Sequence, residues 1–175
     1  MDLSTAPLFA SIPAQDIGRA MRWYEEKLGL RSLMDLGVSG QLYQSGGVSW
    51  LLYETPYAGT GKHTLAGWVV PSIDDAMRDM RAKGVVFEEY DMGDHGPTTE
   101  NGVARGPDGG AGAWFKDSEG NILSISELPP GMHALSALVG VATRVGLTPG
   151  PRRSDHLLEA WPLRMPVEHI RRAAR

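Results

Sequence analysis

Few side chains here have the type and spacing that chemistry requires. The chain has no cysteine, so it offers no thiolate nucleophile, thiolate metal site or disulfide framework. Loop groups that could coordinate or move a proton are His63, which follows Gly61-Lys62, and Asp91, Asp94, His95 and Glu100 in the polar run from Asp91 to Gly110. A histidine among carboxylates can hold a divalent cation or act as a general acid or base. In a turn-rich segment, however, the ordinary reading of such residues is a solvated loop. No nucleophile is paired with a base, and neither a glycine-rich phosphate loop nor a zinc-protease motif is present.

The elements that must position these groups come from a chain of 175 residues, 42% apolar and 22% charged, which is enough for one ordinary core with an appendage. No stretch approaches the roughly 20 apolar residues needed to cross a bilayer. Met1 to Pro13 has Asp2 and no basic cluster, so a cytoplasmic protein without a membrane partner is expected. Net charge is −4 but uneven: residues 130–175 hold seven arginines against Asp155, Glu159 and Glu168, a balance of +4, which leaves −8 on residues 1–129. An acidic body argues against nucleic acid as a partner, because phosphate binding needs clustered positive charge.

The body contains a repeat. Ile17, Ala20, Met21 and Arg22 recur as Ile73, Ala76, Met77 and Arg78, while Gly47 and Glu54 recur as Gly120 and Glu127. The two matches differ in offset, and Asp91 to Gly110 is the evident place for the residues gained by the second copy. Each copy opens with an apolar run, Leu8 to Ile12 and Leu65 to Val70, and then a capping residue, Asp16 or Ser72. Helical stripes follow: Ile17, Ala20, Met21, Tyr24 and Leu28 in one, Ile73, Ala76, Met77 and Met80 in the other, with Gly29 and Gly84 placed to stop them. Strand-like runs complete the copies: Arg31 to Leu36, Gln41 to Gln44 and Val48 to Glu54, then Val85 to Tyr90, Gly112 to Lys116 and Asn121 to Glu127. The expected fold is α+β, two βαβββ modules spanning about 8–54 and 65–127 within a domain of residues 1–129. They should form an open mixed sheet bearing a cleft.

Ile12-Pro13-Ala14-Gln15-Asp16-Ile17 with Trp23-Tyr24 and Leu28-Gly29-Leu30, and the hairpin Trp114-Phe115-Lys116-Asp117-Ser118-Glu119-Gly120-Asn121, resemble the opening and closing motifs of the vicinal-oxygen-chelate superfamily, which includes glyoxalases, bleomycin-resistance proteins and extradiol dioxygenases. Ser118 stands where that hairpin usually has proline. The resemblance covers roughly Leu8 to Leu128, and it implies that metal-dependent members take ligands from the first and last strands of each module. Those positions fall here on Phe9, Leu65, Leu51 and Ser124, none a His, Asp or Glu, so no metal and no other cofactor is expected. His63 keeps the parity of Leu65 but acts alone. Glu54 and Glu127 are three residues from Leu51 and Ser124, which turns them away from the cleft.

The same alternation assigns a cleft lining of Phe9, Ser11, Ser49, Leu51, Tyr53, Leu65, Gly67, Ile122, Ser124 and Ser126, with Trp114 near its mouth and Tyr53 its one titratable group. Such an apolar, aromatic and hydroxylic surface suits a small flat organic molecule, although a closed core uses the same residues. Trp50 and Trp68 are out of phase and should pack between sheet and helix. The acidic run Glu88, Glu89, Asp91 and Asp94 would favour a cationic ligand if it folds over the cleft. Beyond Pro129-Pro130-Gly131 lies a C-terminal extension, residues 130–175, expected to be partly helical from the stripe Ala134, Leu135, Leu138, Val141, Ala142 and Val145 and again over Asp155 to Trp161. Three functions stay open: a metal-free binding protein of the bleomycin-resistance kind, for which the resemblance implies a homodimer; a metal-independent isomerase, cyclase or lyase; and a regulatory partner that docks through its C-terminal helix.

Overall fold

Both described α-helices start at a side-chain oxygen. In the computed structural model, which describes residues 4, 6 and 8–132, Asp16 accepts the Arg19 amide at the head of α1 (Ile17–Trp23) and Ser72 accepts the Asp75 amide at the head of α2 (Ile73–Ala82). The first helix widens into a π turn over Tyr24–Leu28 and stops at Gly29, whose φ is 70°; Gly84, at φ 81°, follows α2. No described helix is long and apolar enough to cross a membrane.

The strands build two four-stranded mixed sheets. In the first, β1 (Ala10–Ala14), β2 (Met34–Asp35), β3 (Gln41–Ser45) and β4 (Val48–Glu54) lie in the order β1-β4-β3-β2. The second uses β5 (Thr64–Val69), β6 (Val103–Arg105), β7 (Ala111–Lys116) and β8 (Ile122–Glu127) in the order β5-β8-β7-β6. β1 pairs with β4, and β5 with β8, in parallel, while every other pair is antiparallel. Repeat positions pair alike, Ser11 with Leu51 and Gly67 with Ser124, so the duplication seen in sequence is a duplication of structure.

Two expected strands need correction. Val85 to Tyr90 does not form the second strand of its module, because β6 takes the edge of β7 along Ala111–Ala113. Phe87 makes only a single bridge to Phe115. The residue gain in the second copy therefore carries a strand rather than a plain loop. The expected strand Arg31 to Leu36 shrinks to Met34–Asp35. The C-terminal helices expected within 134–145 and 155–161 lie outside the described residues.

One apolar core joins both modules on the helix side. Ile12, Tyr43, Trp50 and Leu52 of the first sheet meet Ala20 and Tyr24, and in the same cluster Ala113, Phe115, Leu123 and Ile125 of the second sheet meet Ile73, Met77 and Phe87. Tyr43 stacks on Trp50 at 4.2 Å, and Trp23 on Phe115 at 6.2 Å. Trp50 is buried and Trp68 packs against this core, as their parity requires. The Trp68 indole also donates to the Ser45 hydroxyl across the module boundary, at 3.0 Å.

The turn between β7 and β8 locks the modules together. Glu119, with no exposed side-chain surface, accepts the backbone amides of Gln15 and Asp16 at 2.8 and 3.0 Å and a two-point bond from Arg19. Burial pushes the Glu119 carboxyl up, but the Arg19 guanidinium, the Asp16 amide, the Ser118 hydroxyl and the Gln15 amide outweigh it and hold the group at about 2. Asp117 accepts from the Tyr24 hydroxyl and the Asn121 amide group, at 2.9 and 2.8 Å, and from the backbone of Glu119 and Asn121. Its burial outweighs these bonds and leaves the carboxyl above the ordinary range. Asn121 also donates to the Pro13 carbonyl and accepts from Gly59. Gly59 can approach so closely because it lacks a Cβ, which would stand 2.3 Å from the Glu119 carbonyl oxygen.

Candidate functional site

Because the helix-side residues of both sheets share one core, the opposite strand faces point away from it. On the first sheet that face carries Ser11 from β1, Leu42 from β3, and Ser49, Leu51 and Tyr53 from β4. Ser11 is exposed and the other four are half-buried, so this face is open. Neighbouring residues divide cleanly: Leu52 is 0% exposed in the core while Leu51 stands on the open side.

The second sheet differs. Trp114, Ile122, Ser124 and Ser126 share its helix-free face and are all buried, Trp114 to 3% exposure. The Trp114 indole donates across β8 to the Thr64 hydroxyl at 3.0 Å. It also lies over Gly112, where an added Cβ would sit 3.2 Å from the ring. Gly67 leaves the space that the Ser124 hydroxyl occupies. The protein's own side chains thus cover this half of the expected cleft.

Two expected lining residues are elsewhere. A bulge between Thr64 and Ala66 puts Thr64, not Leu65, opposite Ile122, and Leu65 packs against the helix-side core. Phe9 precedes β1 and is 59% exposed, with no strand to fix its direction. The structure therefore groups Ser11, Leu51 and Tyr53 on one sheet and Trp114, Ile122 and Ser124 on the other.

Sequence reasoning missed a cluster beside Trp114. Tyr90 sets its ring edge-on to the indole, with centroids 5.7 Å apart at 76°. Lys116, two residues after Trp114 on the same face, pairs with Glu88 at 2.9 Å, and the Glu88 amide donates to the Trp114 carbonyl at 2.7 Å. Burial raises the Tyr90 hydroxyl, the Glu88 carboxylate adds to the rise, and Lys116 opposes it. The signal was present as Glu88-x-Tyr90 facing Trp114-x-Lys116. Reading it requires the pairing that sets Glu88 against Trp114 across 26 residues.

These positions do not fit a divalent metal. Phe9, Leu51 and Leu65 have hydrocarbon side chains and Ser124 a buried hydroxyl, whereas such ions take imidazole, carboxylate or thiolate. Among the described residues no three His, Asp or Glu side chains gather as a ligand set. His63 is exposed with its ring over Gly61, and His95 is exposed in its loop. Glu54 and Glu127 stay off this face: Glu127 accepts the Ile73 amide at the start of α2, and Glu54 borders a hollow of about 470 Å³ with Gln15, Thr55 and Pro56. Glu100 lines another hollow, of about 490 Å³, against α2 with Asp74, Met77, Arg81 and Arg105. Its two arginines are engaged by the protein, Arg81 with the Asn101 carbonyl and Arg105 with Asp74, so they hold the inserted segment onto the helix.

No family model matches the chain, and no curated protein matches it. Solved structures do. UcmS2 is 21% identical over 69% of this chain and 97% of its own, with a TM-score of 0.53. TioX from Micromonospora sp. ML1 is 17% identical over 70% and 98%, also at 0.53. A lactoylglutathione lyase from Agrobacterium tumefaciens is 15% identical over 70% and 93%, at 0.52. At such identity the likeness shows the fold, which is that of the vicinal-oxygen-chelate superfamily.

Proposed function

We propose that this chain, built on the vicinal-oxygen-chelate fold, binds a small flat organic molecule, aromatic or cationic, against the helix-free side of its sheets without a metal ion. One observation carries the reading. Ser11, Leu42, Leu51 and Tyr53 form an apolar and hydroxylic face that is open to solvent, on a sheet whose other face is built into the core. Burying part of that face is a source of affinity, and the hydroxyls of Ser11 and Tyr53 give direction. Proflavine, a planar aromatic cation, is a suitable probe by intrinsic fluorescence. Wild-type protein should bind it saturably at one site per chain, and Leu51→Glu should weaken binding at least tenfold while the protein stays folded. Absence of binding, or binding indifferent to Leu51→Glu, refutes the assignment. So does stoichiometric Zn, Ni, Fe or Mn in the purified protein.

A homodimer belongs to this reading. Leu33, Met34 and Leu36 stand 62%, 56% and 40% exposed around the β2 edge, apolar surface that a second copy would cover. Sedimentation that finds only monomer at micromolar concentration refutes this part. A metal-independent enzyme is the second reading, favoured by Glu88, Lys116 and Tyr90 beside Trp114, which supply proton-transfer groups. Turnover of a bound compound that Lys116→Met abolishes without loss of binding would establish it.

A further inference from the structure

Two enclosed side-chain polar atoms among the described residues have no hydrogen-bond partner, the Trp50 indole nitrogen and the Tyr90 hydroxyl. They differ in place. Trp50 is wedged in the helix-side core between Tyr43 and Tyr24, where a large aromatic residue is needed for packing. Tyr90 lies on the opposite side, packed against Ala104, Trp114 and Ile122, and none of these offers its hydroxyl an acceptor. Native proteins seldom leave an enclosed hydroxyl unmatched, since losing water without a replacement bond costs stability. Phenylalanine would fill the same space without that cost.

We propose that the Tyr90 hydroxyl reads the ligand, donating a hydrogen bond to the carbonyl oxygen of a planar aromatic compound seated beside Trp114 on the second sheet. The inference rests on the binding reading above and adds to it a polar contact and a ligand class. Burial, with the Glu88 carboxylate adding to it, raises the Tyr90 hydroxyl, so at neutral pH it keeps the hydrogen that a carbonyl oxygen can accept. Of the other donors on this side, Lys116 is held by Glu88 and the Trp114 indole by Thr64. Aromatic surface lies next to the hydroxyl in Trp114, whose indole must leave its bond to Thr64 for a ring to stack there.

The test compares 1-indanone with indane, which has the same bicycle and no acceptor, by NMR titration of the indole N–H signals. Wild-type protein should bind 1-indanone about tenfold more tightly than indane, the span of one neutral hydrogen bond, with the Trp114 N–H signal shifting. Tyr90→Phe should bind both alike and should melt no lower than wild type, because it removes only an unmatched hydroxyl. Equal affinity of wild type for the two compounds overturns this inference and leaves the binding reading standing. Failure of both compounds to bind also overturns this inference, whereas the binding reading stands or falls with proflavine. A preference that survives in Tyr90→Phe shows that another donor reads the carbonyl and overturns the inference, and a lowered melting temperature in that variant shows that the hydroxyl serves the fold instead.

Discussion

Arg19 and Glu119, a hundred residues apart, meet in a two-point hydrogen bond, Nε to Oε1 and Nη2 to Oε2, both at 2.8 Å. The guanidinium is half exposed and the carboxylate fully enclosed, so the contact pins the closing turn of the second module to the first helix of the other. It is a two-point polar joint between the modules, and its geometry sets what should follow when it is cut.

Glu119→Ala removes the acceptor for two backbone amides and for the Arg19 fork. Loss of one partner from an enclosed charged network costs about 3 kcal/mol. Urea denaturation should show a loss of that order. Arg19→Lys should cost less, since an ammonium keeps the charge but not the fork.

Acid should dissolve the same joint. The Glu119 carboxyl is held at about 2 in the folded chain against an ordinary value of 4.5, so its contribution is complete above 4.5 and lost as pH falls toward 2. Asp117 has the opposite sign. Its raised value means that its contribution is present below the ordinary range and disappears as pH rises through the folded value. The fall in urea midpoint between about pH 4.5 and 2 should therefore be shallower in Glu119→Gln than in wild type.

Tyr24→Phe deletes the hydroxyl that donates to Asp117 and leaves the ring in the core. One donor lost to a buried carboxylate should cost about 2 kcal/mol, measured by thermal or urea unfolding. In the wild type, burial first and Asp117 second push the Tyr24 hydroxyl far above the ordinary tyrosine value, so it should resist ionisation until the protein unfolds in base.

Leu51 and Leu52 are adjacent and face opposite ways. Leu52→Ala should cost about 3 kcal/mol because it empties a place in the core. Leu51→Ala, on the open face, should cost under about 1 kcal/mol by the same measurement and yet reduce proflavine binding. Similar stability losses at the two sites would mean that the first sheet is covered on both faces.

Much of the fold was legible because its signals are local. Asp16 and Ser72 cap their helices through amides three residues on, Gly29 and Gly84 take the left-handed turn that stops a helix, and β4 spans the Val48–Glu54 run that its alternation marks. The candidate site was less legible, because its residues are chosen by pairing. A single bulged residue in β5 moved Leu65 to the core and Thr64 onto the helix-free side, since strand side chains alternate with a period of two.

By itself the sequence determined the repeat, the caps, the parity of β4 and β8, and the absence of metal donors at Phe9, Leu51, Leu65 and Ser124, all properties of neighbouring residues or of residue chemistry. Tertiary structure decided that Val103–Arg105 takes the β7 edge, that Trp114 reaches across to Thr64 and covers its own face, and that Tyr90 lies beside it with an unmatched hydroxyl. Contacts between segments far apart in the chain settle those points. Backbone edges and buried polar atoms find their partners only when the sheets assemble.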